Sequence, residues 1–76
     1  MQQFQNVAEK AEGIKGQIKD DKDQHNFGVE LTLFNSTFSK LPNAKPGALC
    51  NAYKKTLTSS QTRMQGYAQK SDLTLE

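Results

Sequence analysis

The 76-residue sequence contains one cysteine and one histidine, Cys50 and His25, as its only candidates for a nucleophile–base pair. A catalytic cysteine needs a lowered pKa, a base and a group that orients the base. Nothing around Cys50 matches such a site, and beside Leu49 on an apolar stripe it is typical of a small buried hydrophobe. A zinc site would likewise lack ligands, because the chain has only one cysteine and one histidine. We therefore expect no catalytic residue, no metal site and no cofactor.

A polar run over residues 20–26 has the residue types of a calcium loop. Asp21, Asp23 and His25 alternate as the first ligands of such a loop would. However, the sixth position, which requires glycine, is Asn26, and the twelfth, which requires glutamate, is Thr32. The run is instead typical of a solvated connector, since these residue types favour turns and helix caps.

Positive charge is concentrated in the second part of the chain. Residues 1–44 carry five lysines and six acids, whereas residues 45–70 carry five cations and no acid. A basic helix attracts phosphates or an acidic protein surface. Specific reading of bases relies heavily on arginine, and this chain has only one. The predicted contacts with an acidic partner or, as the alternative, a nucleic acid are Lys54, Lys55, Arg63 and Lys70.

Composition limits the chain to one small domain, residues 1–76. Only 34% of the residues are apolar and the net charge is +2, and chains of this length bury too little surface to be more than marginally stable. A single cysteine excludes an intramolecular disulfide framework. No apolar run is long enough for a membrane span, and the first residues do not resemble a secretory signal. These features predict a cytoplasmic protein with no membrane or small-molecule partner.

Hydrophobic spacing predicts the first and third of three helices. The first, over 3–20, has an apolar face weakened by Gly13 and Gly16. The third, over 47–70, follows a proline-containing boundary and has Ser60 where a further apolar residue is expected. The remaining residues, 71–76, are predicted to be a frayed tail or a short arm. The two apolar faces consist of Phe4, Val7, Ala11, Ile14 and Ile18, and of Leu49, Tyr53, Leu57, Met64 and Tyr67.

The middle of the chain fits two patterns. A helix over 27–41 places five large apolar residues on one face and leaves Val29 and Leu33 outside it. A β-hairpin at 28–41 explains those two residues but needs a turn at Asn35–Ser36. The helical pattern predicts a mainly α fold, a small bundle of three amphipathic helices. The alternative is an α+β fold of helix, β-hairpin and helix.

Thin apolar faces on a small chain favour association with another surface. We therefore predict a small non-enzymatic protein that acts through protein–protein interaction, with a protein partner or by self-association, as a regulator, inhibitor, adaptor or self-assembling subunit. The alternative from a different class is a nucleic-acid-binding module that uses the basic third helix. The predicted apolar interface consists of Phe4, Phe34, Phe38, Tyr53 and Tyr67.

Three segments resemble the needle subunits of type III secretion systems. They are Glu30-Leu31-Thr32-Leu33, the turn from Pro42 to Pro46, and the spacing Leu49-x-x-x-Tyr53-x-x-x-Leu57. The resemblance implies a helical hairpin with a proline-containing turn. It also implies a further alternative function, that of a subunit that polymerises into a hollow filament.

Overall fold

A computed structural model describes residues 2–75 as three α-helices. These are α1 (Gln2–Ile14), α2 (Asp21–Lys40) and α3 (Ala48–Gln69), with short 3-10 turns at Lys15–Gln17 and Leu41–Asn43. The predicted mainly α, three-helix bundle is confirmed. The alternative β-hairpin at 28–41 is wrong, because a continuous helix covers nearly all of that range.

Helix α2 begins six residues earlier than its apolar pattern predicts. The Asp20 carboxylate accepts a hydrogen bond from the backbone N–H of Asp23 at 3.0 Å and so caps the helix. The carboxylates of Asp21 and Asp23 lie in the first turn, where their negative charge is stabilised by the positive end of the helix dipole. The polar run interpreted as a connector therefore forms the first turns of α2, because the residues that make connectors are also those that start helices.

Helix α1 is shorter than predicted. Its α-helical part ends at Ile14, a 3-10 turn follows, and Ile18 is extended. The predicted helix over 3–20 is thus too long, although Ile18 still reaches the core. Gly13 and Gly16 lie at this end of α1, where their low helix propensity favours an early stop.

The turn between α2 and α3 is close to the predicted boundary. Pro42 lies in the 3-10 turn that follows α2. Gly47 has a φ of 139°, a conformation essentially confined to glycine, and α3 starts at the next residue. Helices α2 and α3 therefore form an antiparallel hairpin, the arrangement implied by the resemblance to needle subunits.

A single apolar cluster joins the three helices. Phe27, Phe34, Leu57 and Met64 are completely buried within it. Helix α1 packs onto this cluster, and the ring of Phe4 meets that of Phe34 edge to face at 6.1 Å. The buried apolar residues are Val7, Ala11, Ile14, Ile18, Phe27, Leu31, Phe34, Leu41, Leu57, Met64, Ala68 and Leu75.

The segment after α3 folds back onto the bundle. The backbone N–H groups of Asp72 and Leu73 donate to the carbonyls of Gln69 and Ala68, both at 3.0 Å, and Asp72 has a φ of 60°. This is a Schellman-type helix end. Leu75 is buried, and its N–H donates to the side-chain oxygen of Gln65 at 2.9 Å. Residues 71–75 thus differ from the predicted frayed tail; Glu76 lies outside the described residues.

Candidate interaction surface

A polar cluster joins α2 to α3 along one edge of their interface. Ser60 is completely buried, and its hydroxyl oxygen lies 3.0 Å from the Glu30 carbonyl oxygen and 3.1 Å from Glu30 Oε1. Arg63 Nε donates to Glu30 Oε2 at 2.7 Å. One glutamate side chain therefore holds two residues of α3. The hydrogen bond from Arg63 to Glu30 raises the pKa of the guanidinium, which stays charged at any physiological pH.

The four predicted basic contacts do not form one surface. Arg63 is bonded to Glu30, and Lys70 Nζ lies 3.5 Å from Asp23 Oδ1. Lys54 and Lys55 are exposed and, with Thr58 and Ser59, line a shallow hollow on α3. The basic half of the chain is therefore partly neutralised by the acids of α2.

The predicted apolar interface lies mostly against the core. Phe34 is completely buried, so it is a core residue and is not part of an accessible surface. Phe4, Phe38, Tyr53 and Tyr67 are half-buried and pack against the same cluster. The helical spacing that selected these five residues is the spacing of core positions.

Three other large apolar side chains are exposed to solvent. Val29 and Leu33 on α2 keep 55% and 42% of their surface accessible, and Leu49 on α3 keeps 57%. The interface prediction omitted all three. The signal for two of them was present in the sequence, because Val29 and Leu33 do not fit the face of α2 that contains the core residues.

Leu33 and Leu49 lie toward the side of the hairpin away from α1. Val29, four residues before Leu33, lies about 40° further toward the outer side of α2, where it lines a shallow hollow with His25, Gly28 and Thr32. At about 100° per residue, Leu33 points about 100° away from Phe34, which contacts α1, and lies beyond the edge of α2 marked by Glu30. Leu49 is fourteen residues before Arg63 and so lies within about 40° of it, on the α3 edge that meets Glu30. We call the surface of Val29, Leu33 and Leu49 the hairpin face.

Cations flank the hairpin face. Lys22 and Lys40 are exposed and lie seven residues before Val29 and seven after Leu33, so each is on the same side of α2 as its apolar neighbour. Within residues 2–75, neither lysine forms a salt bridge. The sequence has no acid between Glu30 and Asp72. The hairpin face is therefore an apolar strip with a positive border.

The remaining chemistry-bearing residues do not converge. His25 is exposed on α2, and Cys50 is half-buried near the start of α3. Among residues 2–75, no group of three or more histidine, cysteine, aspartate or glutamate side chains is placed to hold a metal ion. In the same part of the chain, no helix combines the length and the apolar character needed to cross a bilayer.

Comparison with known proteins adds no relative. No protein-family model, curated protein or solved structure matches the chain significantly.

Proposed function

We propose that this chain is a non-enzymatic interaction protein that binds a protein partner through the hairpin face, in the manner of a regulator, inhibitor or adaptor. The observation that supports the proposal is the exposure of Val29, Leu33 and Leu49 on one side of the hairpin. Single exposed apolar residues are ordinary, whereas several on one side with a polar border are typical of an interaction site.

The free energy available from this surface is useful for binding. Full burial of an exposed aliphatic side chain contributes about 1.5–3 kcal/mol. Since Val29, Leu33 and Leu49 are already about half-buried, covering the rest contributes about 1 kcal/mol each, or about 3 kcal/mol in total. That corresponds to about a hundred-fold in affinity. The hairpin face can therefore provide the apolar centre of a modest interface, with polar contacts supplying the remainder.

The nucleic-acid alternative has less support. Arg63, the only arginine in the chain, already donates to Glu30, and Lys70 lies against Asp23. The polar cluster thus uses the one side chain best suited to pair with a guanine edge. Polymerisation into a filament stays a prediction of the resemblance to needle subunits.

The experiment that tests the proposal compares three immobilised proteins. The first is the wild type; the second carries Val29→Gln, Leu33→Gln and Leu49→Gln. The third is a control with three glutamines on other exposed positions of α3, Asn51→Gln, Thr58→Gln and Thr62→Gln. Glutamine has good helix propensity, so all three should show the same circular dichroism spectrum.

We expect the wild type and the control to retain the same proteins from source-cell lysate and the face variant to retain about a hundred-fold less. A photo-crosslinking amino acid at position 33 of the wild type should become joined to the retained protein, and the same group at position 62 should not. Equal retention by the face variant, or crosslinking from position 62 alone, contradicts the proposal.

A further inference from the structure

We propose that the partner segment on the hairpin face is an amphipathic α-helix whose apolar stripe is bordered by acidic side chains, lying along α2 and α3 as a fourth helix. This inference rests on the proposed function and specifies the chemistry of the partner. It follows from the shape of the hairpin face, from its length and from the sign of its border.

The shape of the hairpin face favours a helix. It is formed by two antiparallel helices, and a third helix can lie along the line where they meet, whereas residues 2–75 offer no strand edge to which an extended segment could add. An amphipathic helix binds along such a line through apolar anchors spaced by three or four residues. On the other side of the same hairpin, α1 already occupies the equivalent position in this way.

The length of the hairpin face matches a few helical turns. Ser60 lies beside Glu30, so Leu49, eleven residues before Ser60, is level with about residue 41 of the antiparallel α2. From Val29 to that level is about 18 Å at 1.5 Å per residue. A partner helix therefore needs a little over three turns to cover the three apolar side chains, which is close to the length of α1. To reach Lys22 as well, about 10 Å before Val29, it needs about five turns.

The charge of the border selects acidic side chains. Lys22 and Lys40 flank the apolar strip on α2, and Lys55, Arg63 and Lys70 lie along the α3 edge, with Lys55 within about 80° of Arg63. Glu30 and Asp23 neutralise Arg63 and Lys70, which leaves Lys22, Lys40 and Lys55 in excess. Acidic side chains on the flanks of a partner helix would pair with Lys22 and Lys40, whereas basic ones would be repelled.

The same border disfavours the other occupants. Two copies joined face to face would bring lysines of the same sign to one interface, which is unfavourable. Nucleic acid would pair with the lysines but leave Val29, Leu33 and Leu49 without an apolar partner. An anionic membrane would use both features, yet the line where two helices meet fits a third cylinder better than a flat surface.

The test uses two synthetic helical peptides of about three heptads with leucine at positions a and d. One carries glutamate at e and g and the other lysine; like charges keep each peptide from pairing with itself. Binding of each labelled peptide to the full chain is measured by fluorescence anisotropy. We expect the glutamate peptide to bind about ten-fold tighter at low salt. The preference should shrink as salt screens the border charges.

Variants separate the two contributions. The variant Val29→Gln/Leu33→Gln should weaken binding of both peptides. The variant Lys22→Gln/Lys40→Gln should reduce the preference for the glutamate peptide and leave the affinity for the lysine peptide equal or higher. The matched control for the second variant is Lys10→Gln/Lys15→Gln, which removes the same charge from exposed positions on the α1 side of the hairpin. It should preserve most of the preference.

Several outcomes overturn the inference. Equal affinity for both peptides does so, as does a preference lost equally in both lysine variants. Tighter binding to duplex DNA or to phosphatidylserine vesicles than to the glutamate peptide, abolished by Lys22→Gln/Lys40→Gln, assigns the face to those ligands. Dimerisation in sedimentation, abolished by Val29→Gln/Leu33→Gln, assigns it to a second copy. If position 33 crosslinks to a captured protein but the peptides show no preference, the inference fails while the proposed function stands.

Discussion

Leu33 and Phe34 are neighbours on α2, yet Phe34 is completely buried while Leu33 keeps 42% of its surface exposed. They belong to opposite faces of the α2–α3 hairpin. Helix α1 covers the face of Phe34, and nothing in the described chain covers that of Leu33. The difference shows that an apolar side chain on α2 becomes either a core residue or an exposed one. Its position relative to α1 decides which.

The largest expected effect is on the covered face. Phe34→Ala should lower the free energy of unfolding by about 3–5 kcal/mol, because it removes a buried ring and leaves a cavity between α1 and α2. Leu33→Ala should change it by less than about 0.5 kcal/mol, since surface substitutions are usually that small. Urea denaturation followed by circular dichroism measures both. If Phe34→Ala does not fold, Phe34→Leu gives a milder test; similar costs at positions 33 and 34 would abolish the distinction between the faces.

Ser60 gives the next largest effect. Its place on the apolar face of α3 suggests that leucine would improve the core, but the residue is completely buried and bonded to Glu30. Ser60→Leu should therefore destabilise the protein by about 1–3 kcal/mol through overpacking. The neighbouring exposed substitution Ser59→Leu should cost less than about 0.5 kcal/mol. Thermal unfolding of the two variants compares them directly, and a higher melting temperature for Ser60→Leu would contradict the structure.

A substitution in α1, the helix that covers the face of Phe34, should have a smaller effect on the free energy of unfolding, and one of opposite sign. A Cβ at Gly13 in α1 would meet nothing within 4 Å. Gly13→Ala should thus stabilise the fold by about 0.5–1 kcal/mol by raising helix propensity. Gly47→Ala also meets open space, but its φ of 139° should make it destabilising by about 1–3 kcal/mol. Chemical denaturation should give opposite signs for the two variants; the same sign would be inconsistent with the two backbone conformations.

The smallest effect on stability belongs to the hairpin face. The combined change Val29→Gln/Leu33→Gln should alter the free energy of unfolding by less than about 0.5 kcal/mol per site, because both side chains lie on the surface and keep about half of their area exposed. Differential scanning calorimetry at low protein concentration measures this without a partner. A much larger loss would mean that these residues support the fold, and the hairpin face would then be an extension of the core.

The sequence was sufficient for the fold because its dominant signals are local. Helical spacing placed Phe27, Leu31 and Phe34 on one face, and prolines located the turn before α3. The ends of the helices were harder to predict where one residue type suits two kinds of local structure. Asp20 and Asp23 are equally suited to a connector and to the start of a helix, and only the capping hydrogen bond distinguishes them.

The candidate site was largely beyond sequence reasoning because it depends on distant partners. Arg63 and Glu30 are 33 residues apart, and Lys70 and Asp23 are 47 apart, so nothing local reveals that these charges meet. Val29 and Leu33 were visible as residues outside the apolar face of α2. Whether they were to be covered depended on where α1 would pack, which periodicity does not specify.

Glu30 also gives the hairpin a fixed alignment. Helices that meet only through aliphatic side chains can pack at nearly equivalent positions one turn apart, about 5.4 Å along the axis. Here a slip by one turn would separate Ser60 and Arg63 from both carboxylate oxygens and leave a buried hydroxyl without an acceptor. The cluster of Glu30, Ser60 and Arg63 therefore fixes the axial register of the two helices. It also keeps Leu33 and Leu49 at a constant separation, as the proposed partner helix requires.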